Sequence, residues 1–215
     1  MRFASTLLFL LMTVPAQGQD IDLRAEIGSV MPLAKLADPG TGPSPGLPYT
    51  YRSERQPSMM LGVTLSAWFH TRLGVTAAAT RSEPDIDWFI PEQSIEYPSG
   101  SSVNWSDTWG TARATISQFS TRAAIRFPHM YRRIGAEVSA GVQVTDYSGY
   151  RSDEVDGTLI GPVVGVNLYT PVRSHLRMGL AASYASYKPN AEYARQHDVS
   201  LMAGVSLLLS RDPDN

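Results

Sequence analysis

Ile134-Gly135-Ala136-Glu137-Val138-Ser139-Ala140-Gly141-Val142-Gln143-Val144-Thr145 is the stretch that decides the fold of this 215-residue chain. Every second residue is apolar, and the residues between are Gly, Glu, Ser, Gln and Thr. Strand side chains alternate between two faces, so this is a strand with one apolar and one polar side. Its length suits a tilted crossing of a hydrocarbon layer.

Seven more segments repeat the alternation. Toward the N-terminus they run Phe119 to Phe127, Leu73 to Thr80, Met59 to Phe69 and Ile21 to Met31. Toward the C-terminus they run Ile160 to Leu168, Leu176 to Tyr184 and Asp198 to Leu209. The connections alternate as well. Long ones cover roughly residues 32–57, 82–110, 146–157 and 188–197; short ones are His70-Thr71-Arg72, Pro128 to Arg133 and Thr170 to Ser174. An up-and-down barrel places all long loops at one end and all tight turns at the other, with both termini on the turn side. The expected fold is therefore all-β, an eight-stranded antiparallel up-and-down transmembrane β-barrel.

Two places break the pattern. The apolar phase slips near Ile116-Ser117, which predicts a β-bulge or a hairpin extending beyond the spanning part. Pro162 lacks an N–H for the ladder and is expected at a bulge or disrupted pairing near the long-loop end of its strand.

The N-terminus reads as an export signal. Arg2 precedes a short apolar run from Leu7 to Val14, and Ala16-Gln17-Gly18 offers small residues for cleavage after Gly18. The expected organisation is a signal peptide over 1–18, a barrel over 19–210 and a polar tail over 211–215. Losing Arg2 leaves 17 basic residues against 20 acidic ones, which gives no reason to expect a nucleic-acid partner. No cysteine is present to staple an exported domain.

Alternation alone does not say which face meets the interior. A soluble lipocalin-like barrel would bury the apolar face around a ligand. Here the apolar face carries almost no charge, while the polar face is Gly, Ser, Thr and isolated Arg or Glu. Lys35 and Lys188, the only lysines, lie outside the alternating segments. A water-facing barrel normally coats its outside with lysine and glutamate, so the apolar face is assigned to outer-membrane lipid. Aromatic residues fall near both strand ends, Trp68, Phe69, Phe127, Tyr131 and Tyr169 at one and Tyr147, Tyr150, Tyr184 and Tyr187 at the other. They are expected at the two membrane interfaces.

On this architecture, residues 20–210 resemble the small outer-membrane barrels of the OmpA/OmpX type and, more loosely, the outer membrane protein β-barrel domain families. The resemblance implies a bacterial outer-membrane protein and a chain ending in an aromatic residue. This one ends in Leu207-Leu208-Leu209-Ser210 and a polar tail.

If the polar face is the lumen, Arg24, Glu26, Arg122, Arg126, Glu137 and Arg177 converge on the turn-side half of a narrow interior. Buried charges there must pair, so they are expected to close the lumen as a salt-bridge plug. The excess of four arginines over two glutamates also leaves open a narrow pore or anion carrier. Catalysis finds little footing. His70, His129 and His175 fall at turns or strand ends on the turn side. His197 points away from Asp198 and Ser200 on its own strand. No catalytic, cofactor-binding or metal residue is assigned. The long loops remain, with Trp88, Phe89, Tyr97, Trp105 and Trp109 clustered in one of them. They predict either an extracellular contact surface through 32–57 and 82–110, packing that stiffens the loop, or aromatics at the rim of an extended hairpin. The expected state is a monomer of structural or surface-interaction type.

Overall fold

A computed structural model of the chain describes residues 20–33, 52–96, 100–131, 133–148, 157–187 and 195–210. The expected signal peptide, the polar tail, residues 34–51 of the first long connection, Tyr97 and Tyr150 lie outside these residues.

Thirteen strands are described: β1 (Asp20–Pro32), β2 (Arg52–Arg55), β3 (Ser58–Trp68), β4 (Leu73–Ser82), β5 (Asp85–Ile90), β6 (Gln93–Glu96), β7 (Ser102–Trp105), β8 (Thr108–Arg113), β9 (Thr115–Tyr131), β10 (Ile134–Ser148), β11 (Gly157–Arg173), β12 (Leu176–Tyr187) and β13 (Gln196–Ser210). Eight of them close a barrel in the order β1-β13-β12-β11-β10-β9-β4-β3, with β3 returning to β1. All its pairings are antiparallel. The eight alternating segments of the sequence are these eight strands.

The faces fall as the charge pattern predicted. Outward residues are apolar and exposed, as with Ile27, Leu61, Val142, Ile160 and Leu180. Inward residues are polar and covered, as with Thr64, Thr76, Ser120, Gln143 and Asn167. This is the reverse of a soluble barrel around an apolar ligand. On β10 the apolar line from Ile134 to Val144 spans ten residue steps, about 34 Å along the strand and about 26 Å at a tilt of about 40°. That is close to the height of a lipid-facing band. Close strand approach has its own demand on the inner face. At Gly141 a Cβ would lie 2.0 Å from the Thr121 carbonyl oxygen, so only glycine lets β9 and β10 pair there.

The irregular residues find specific places. The phase slip near Ile116 is the extended hairpin, not a bulge. β4 gives way to β5 across Glu83-Pro84, and β8 to β9 at Ala114, where the Ala114 N–H donates to the Pro84 carbonyl. Beyond that junction β5 pairs with β8 and with β2 in a separate three-stranded sheet, and β6 with β7 forms a further hairpin. Most of the long connection 82–110 is therefore strand. Pro162 pairs with Val142 on one side, while the β11–β12 ladder begins at Val163. Pro128 and Pro171 sit beside register shifts at the short-turn end, where a missing N–H is tolerated.

Candidate functional site

The lumen is layered. At the short-turn end, β1 aims Asp22, Arg24 and Glu26 inward, and β9, β10 and β12 supply Arg126, Glu137 and Arg177. Arg24 Nε lies 2.9 Å from Glu26 and its NH1 lies 3.5 Å from Glu137. Arg126 reaches Glu137 at 3.4 Å, Asp20 at 3.8 Å and Asp22 at 4.0 Å. Arg177 reaches Asp22 at 3.4 Å. Neutral groups complete the acceptors: Thr64 donates to Glu26 at 2.6 Å, and Asn167 to Glu137 at 3.0 Å.

Five of the six charges foreseen in sequence belong to this network. The sixth, Arg122, sits higher, with its Nε 3.1 Å from Ser120 Oγ and no carboxylate within 4.0 Å among the described residues. The network also enlists Asp22, and Asp20 at its open edge. The excess of arginine counted on the sequence is therefore smaller than it looked.

Four aromatic rings expected at the membrane interfaces turn inward, Trp68 and Tyr169 at the short-turn end and Tyr147 and Tyr187 at the long-loop end. Trp68 is 2% exposed and lies under Arg126, whose guanidinium carbon is 3.7 Å from the ring centroid. Tyr169 is likewise buried, with Arg177 at 4.9 Å. Each of these two rings gives a desolvated guanidinium a favourable face, worth on the order of 2 kcal/mol. Their strand phase carried this signal, since Trp68 shares parity with Thr64 and Ser66. Phe69 and Phe127 do face outward.

Hydroxyl and amide side chains line a cavity of about 50 Å³ together with Arg122 and the network's own Arg24, Glu26 and Glu137. Val30, Met60 and Met202 pack together beside it.

At the long-loop end a loop residue enters the barrel. Arg55, from β2, is 4% exposed and is paired with Asp198 of β13. It donates to Tyr147 Oη at 2.5 Å and to Tyr187 Oη at 2.9 Å, and Tyr187 in turn donates to Asp198 at 3.0 Å. Burial opposes the Arg55 charge, but the tyrosine oxygens outweigh it and raise its pKa above the ordinary guanidinium value. Over this basket, Ile86, Ile90, Ala114, Ile116 and Leu159 form an apolar cluster with the two tyrosine rings. Nothing in the alternation marks Arg55, because its strand lies outside the barrel and its partner is 143 residues away.

The outer sheet shows a different face to the surroundings. Phe89 and Trp109 are cross-strand partners, and Trp109 is 79% exposed. They border a groove of about 470 Å³ with Glu54, Asp87 and Thr111. Asp87 accepts from Thr111 and Gln56, both at 2.7 Å. Between this pair and the apolar band lie Arg81–Glu83 and Arg113–Asp85, at 2.9 and 3.1 Å. The aromatic pair is thus separated from the band by charge and does not belong to a membrane rim.

Three histidine side chains are described. His197 faces outward and bonds Tyr184 Oη at 2.5 Å, while Asp198 and Ser200 face inward. His70 and His175 contact neighbouring Thr71 and Ser174 in turns. No group of metal-ligating side chains occurs among the described residues.

The architecture is that of a small outer-membrane β-barrel. The solved structure of the outer membrane protein OprG from Pseudomonas aeruginosa superposes with a TM-score of 0.59 at 13% identity, covering 90% of this chain and 97% of that one. Neisserial surface protein A (NspA) superposes with a TM-score of 0.53 at 12% identity, covering 89% and 97%. At these identities the likeness is one of fold. No protein-family model matches the sequence, and neither does any curated protein.

Proposed function

We propose that the chain is a non-enzymatic, monomeric protein of the bacterial outer membrane, exported by residues 1–18, with a closed lumen and a sheet displayed outside the cell. The observation that carries this reading is the position of Trp109 and Phe89, exposed on strands beyond the barrel and separated from the apolar band by charge. Exposed aromatics on a rigid sheet suit a contact surface, since such rings anchor interfaces at low entropic cost. The layered lumen supports closure: ion pairs occupy the turn side, and Arg55 with its apolar cover occupies the other.

The absence of native cysteine makes the topology directly testable. Trp109→Cys should react with a membrane-impermeant maleimide on intact cells. Thr71→Cys should react only after permeabilisation. The reverse pattern would refute the orientation. Purified protein in planar bilayers should give no steady conductance. The runner-up, a narrow solute pore, draws on the polar cavity beside Arg122, and steady openings would decide for it.

A further inference from the structure

Exposed arginines are matched by carboxylates at one end of the barrel and not at the other. At the long-loop end Arg81 meets Glu83 at 2.9 Å, and Arg113 meets Asp85 at 3.1 Å. In the short turns Arg72, Arg133 and Arg173 are exposed, and no carboxylate lies within 4.0 Å of them among the described residues. Asp20, half-exposed at that mouth, reaches Arg126 instead.

Two of these arginines share a site. Arg133 and Arg173 line one groove of about 490 Å³ at the β9–β10 and β11–β12 turns, with Ser174 and Val172, and with Tyr169 and Arg177 on its inner wall. No acidic residue lines it. Arg177 is already committed to Asp22 at 3.4 Å, so the unmatched charge in the groove belongs to Arg133 and Arg173. The buried Tyr169 hydroxyl finds no hydrogen-bond partner among the described residues, which leaves one donor of the inner wall unspent.

The outer lip of the groove belongs to the lipid-facing surface. Val172 follows Val164, Val166 and Leu168 along the exposed apolar line of β11, and Ile134 opens the corresponding line of β10. A hydrocarbon chain lying along that line brings the head of its lipid to the two arginines. Phosphate is the headgroup that arginine forks recognise best, by paired charge-assisted hydrogen bonds. The groove also falls in the range of pockets that hold small ligands, about 300–1,000 Å³.

We propose that this groove holds the headgroup of one anionic glycerophospholipid, with its phosphate between Arg133 and Arg173 and its acyl chains along Val172 and Leu168. The binding follows from the short-turn end itself; only the leaflet, the periplasmic one, rests on the orientation proposed above.

Native mass spectrometry of the full barrel in neutral detergent tests it, with phosphatidylglycerol and phosphatidylcholine of identical chains added in equal amounts. Each arginine near an anionic headgroup is worth roughly fivefold in binding, so phosphatidylglycerol should be retained in preference by roughly 25-fold. Arg133→Gln combined with Arg173→Gln should remove the preference, while Arg72→Gln, in the β3–β4 turn outside the groove, should keep it. If the double variant does not fold, Ser174→Glu takes its place, since it keeps both arginines and sets a carboxylate beside them. Equal retention of the two lipids by wild type, or a preference that survives in the groove variants, would overturn the proposal. So would an equal loss in Arg72→Gln, which would make the rim a diffuse field, or displacement of the lipid by inorganic phosphate at the same concentration. The assay has no sidedness. Its failure would leave the orientation intact, and a reversed maleimide pattern would overturn the leaflet and not the binding.

Discussion

Glu137 is the junction of the turn-side network, and its replacement has a calculable effect. Its carboxylate meets Arg126 at 3.4 Å and Arg24 at 3.5 Å, and it accepts from Asn167 at 3.0 Å. Glu137→Gln preserves the shape and one acceptor oxygen but removes the charge that two arginines share. Removing one partner of a buried ion pair costs about 3–5 kcal/mol. The remaining acceptor, together with Glu26 for Arg24 and the aspartates for Arg126, places this variant near about 3 kcal/mol. That corresponds to roughly a 150-fold loss in the folding equilibrium. Equilibrium urea unfolding of barrel inserted in lipid vesicles, followed by tryptophan fluorescence and by gel shift, reads this directly. Pairing Glu137→Gln with Arg126→Gln closes a double-mutant cycle, and the double variant should be less destabilised than the sum of the two. A single variant within about 0.5 kcal/mol of wild type, or strictly additive losses, would refute the view that these charges act as one network.

Other perturbations address other layers. Asp198→Asn leaves Arg55 without its carboxylate, so limited proteolysis should cut between Arg52 and Pro57 faster than in wild type, with the transmembrane strands still protected. Val142→Arg, on the outward face near the middle of β10, should destabilise the barrel in bilayers by about 2–4 kcal/mol in vesicle unfolding titrations. Gly141→Ala would drive a methyl against the Thr121 carbonyl and should lower folding yield, although alanine is the better residue by propensity. Trp109→Ala should leave the unfolding midpoint within about 0.5 kcal/mol of wild type, because the ring is exposed.

Much of the barrel is legible in the sequence because the lipid face and the lumen impose opposite chemistry at period two. That period fixes both the eight strands and the sides they turn. Five of the six converging charges follow from strand parity and strand direction alone. What is hidden has identifiable causes. Asp22 stands on the same face as Arg24, but its role depends on β9 and β12 reaching across the lumen. Trp68 and Tyr169 look like interface aromatics by height, and parity sends them inward. Arg55 carries no periodic signal at all, since its pairing with Asp198 is set by how a loop strand folds over the mouth. The outer sheet is only half legible, because β5 and β8 continue β4 and β9 past a proline and an alanine, and the phase slip near Ile116-Ser117 fits a bulge as well as an extended hairpin. The exchange of an apolar outer face for an apolar inner one then resembles a register error.

The seam of the barrel has a kinetic consequence. β1 and β13 pair along thirteen positions, from Asp20↔Ser210 to Pro32↔Asp198, and they join segments at opposite ends of the described chain. Until that pairing forms, two strand edges remain open, and hydrocarbon offers no partner to either. A chain cut before Gln196 would leave β1 and β12 as those edges for good. Insertion and closure must therefore be nearly one event, timed by the arrival of the last strand, and a partly made barrel has no resting place in the bilayer.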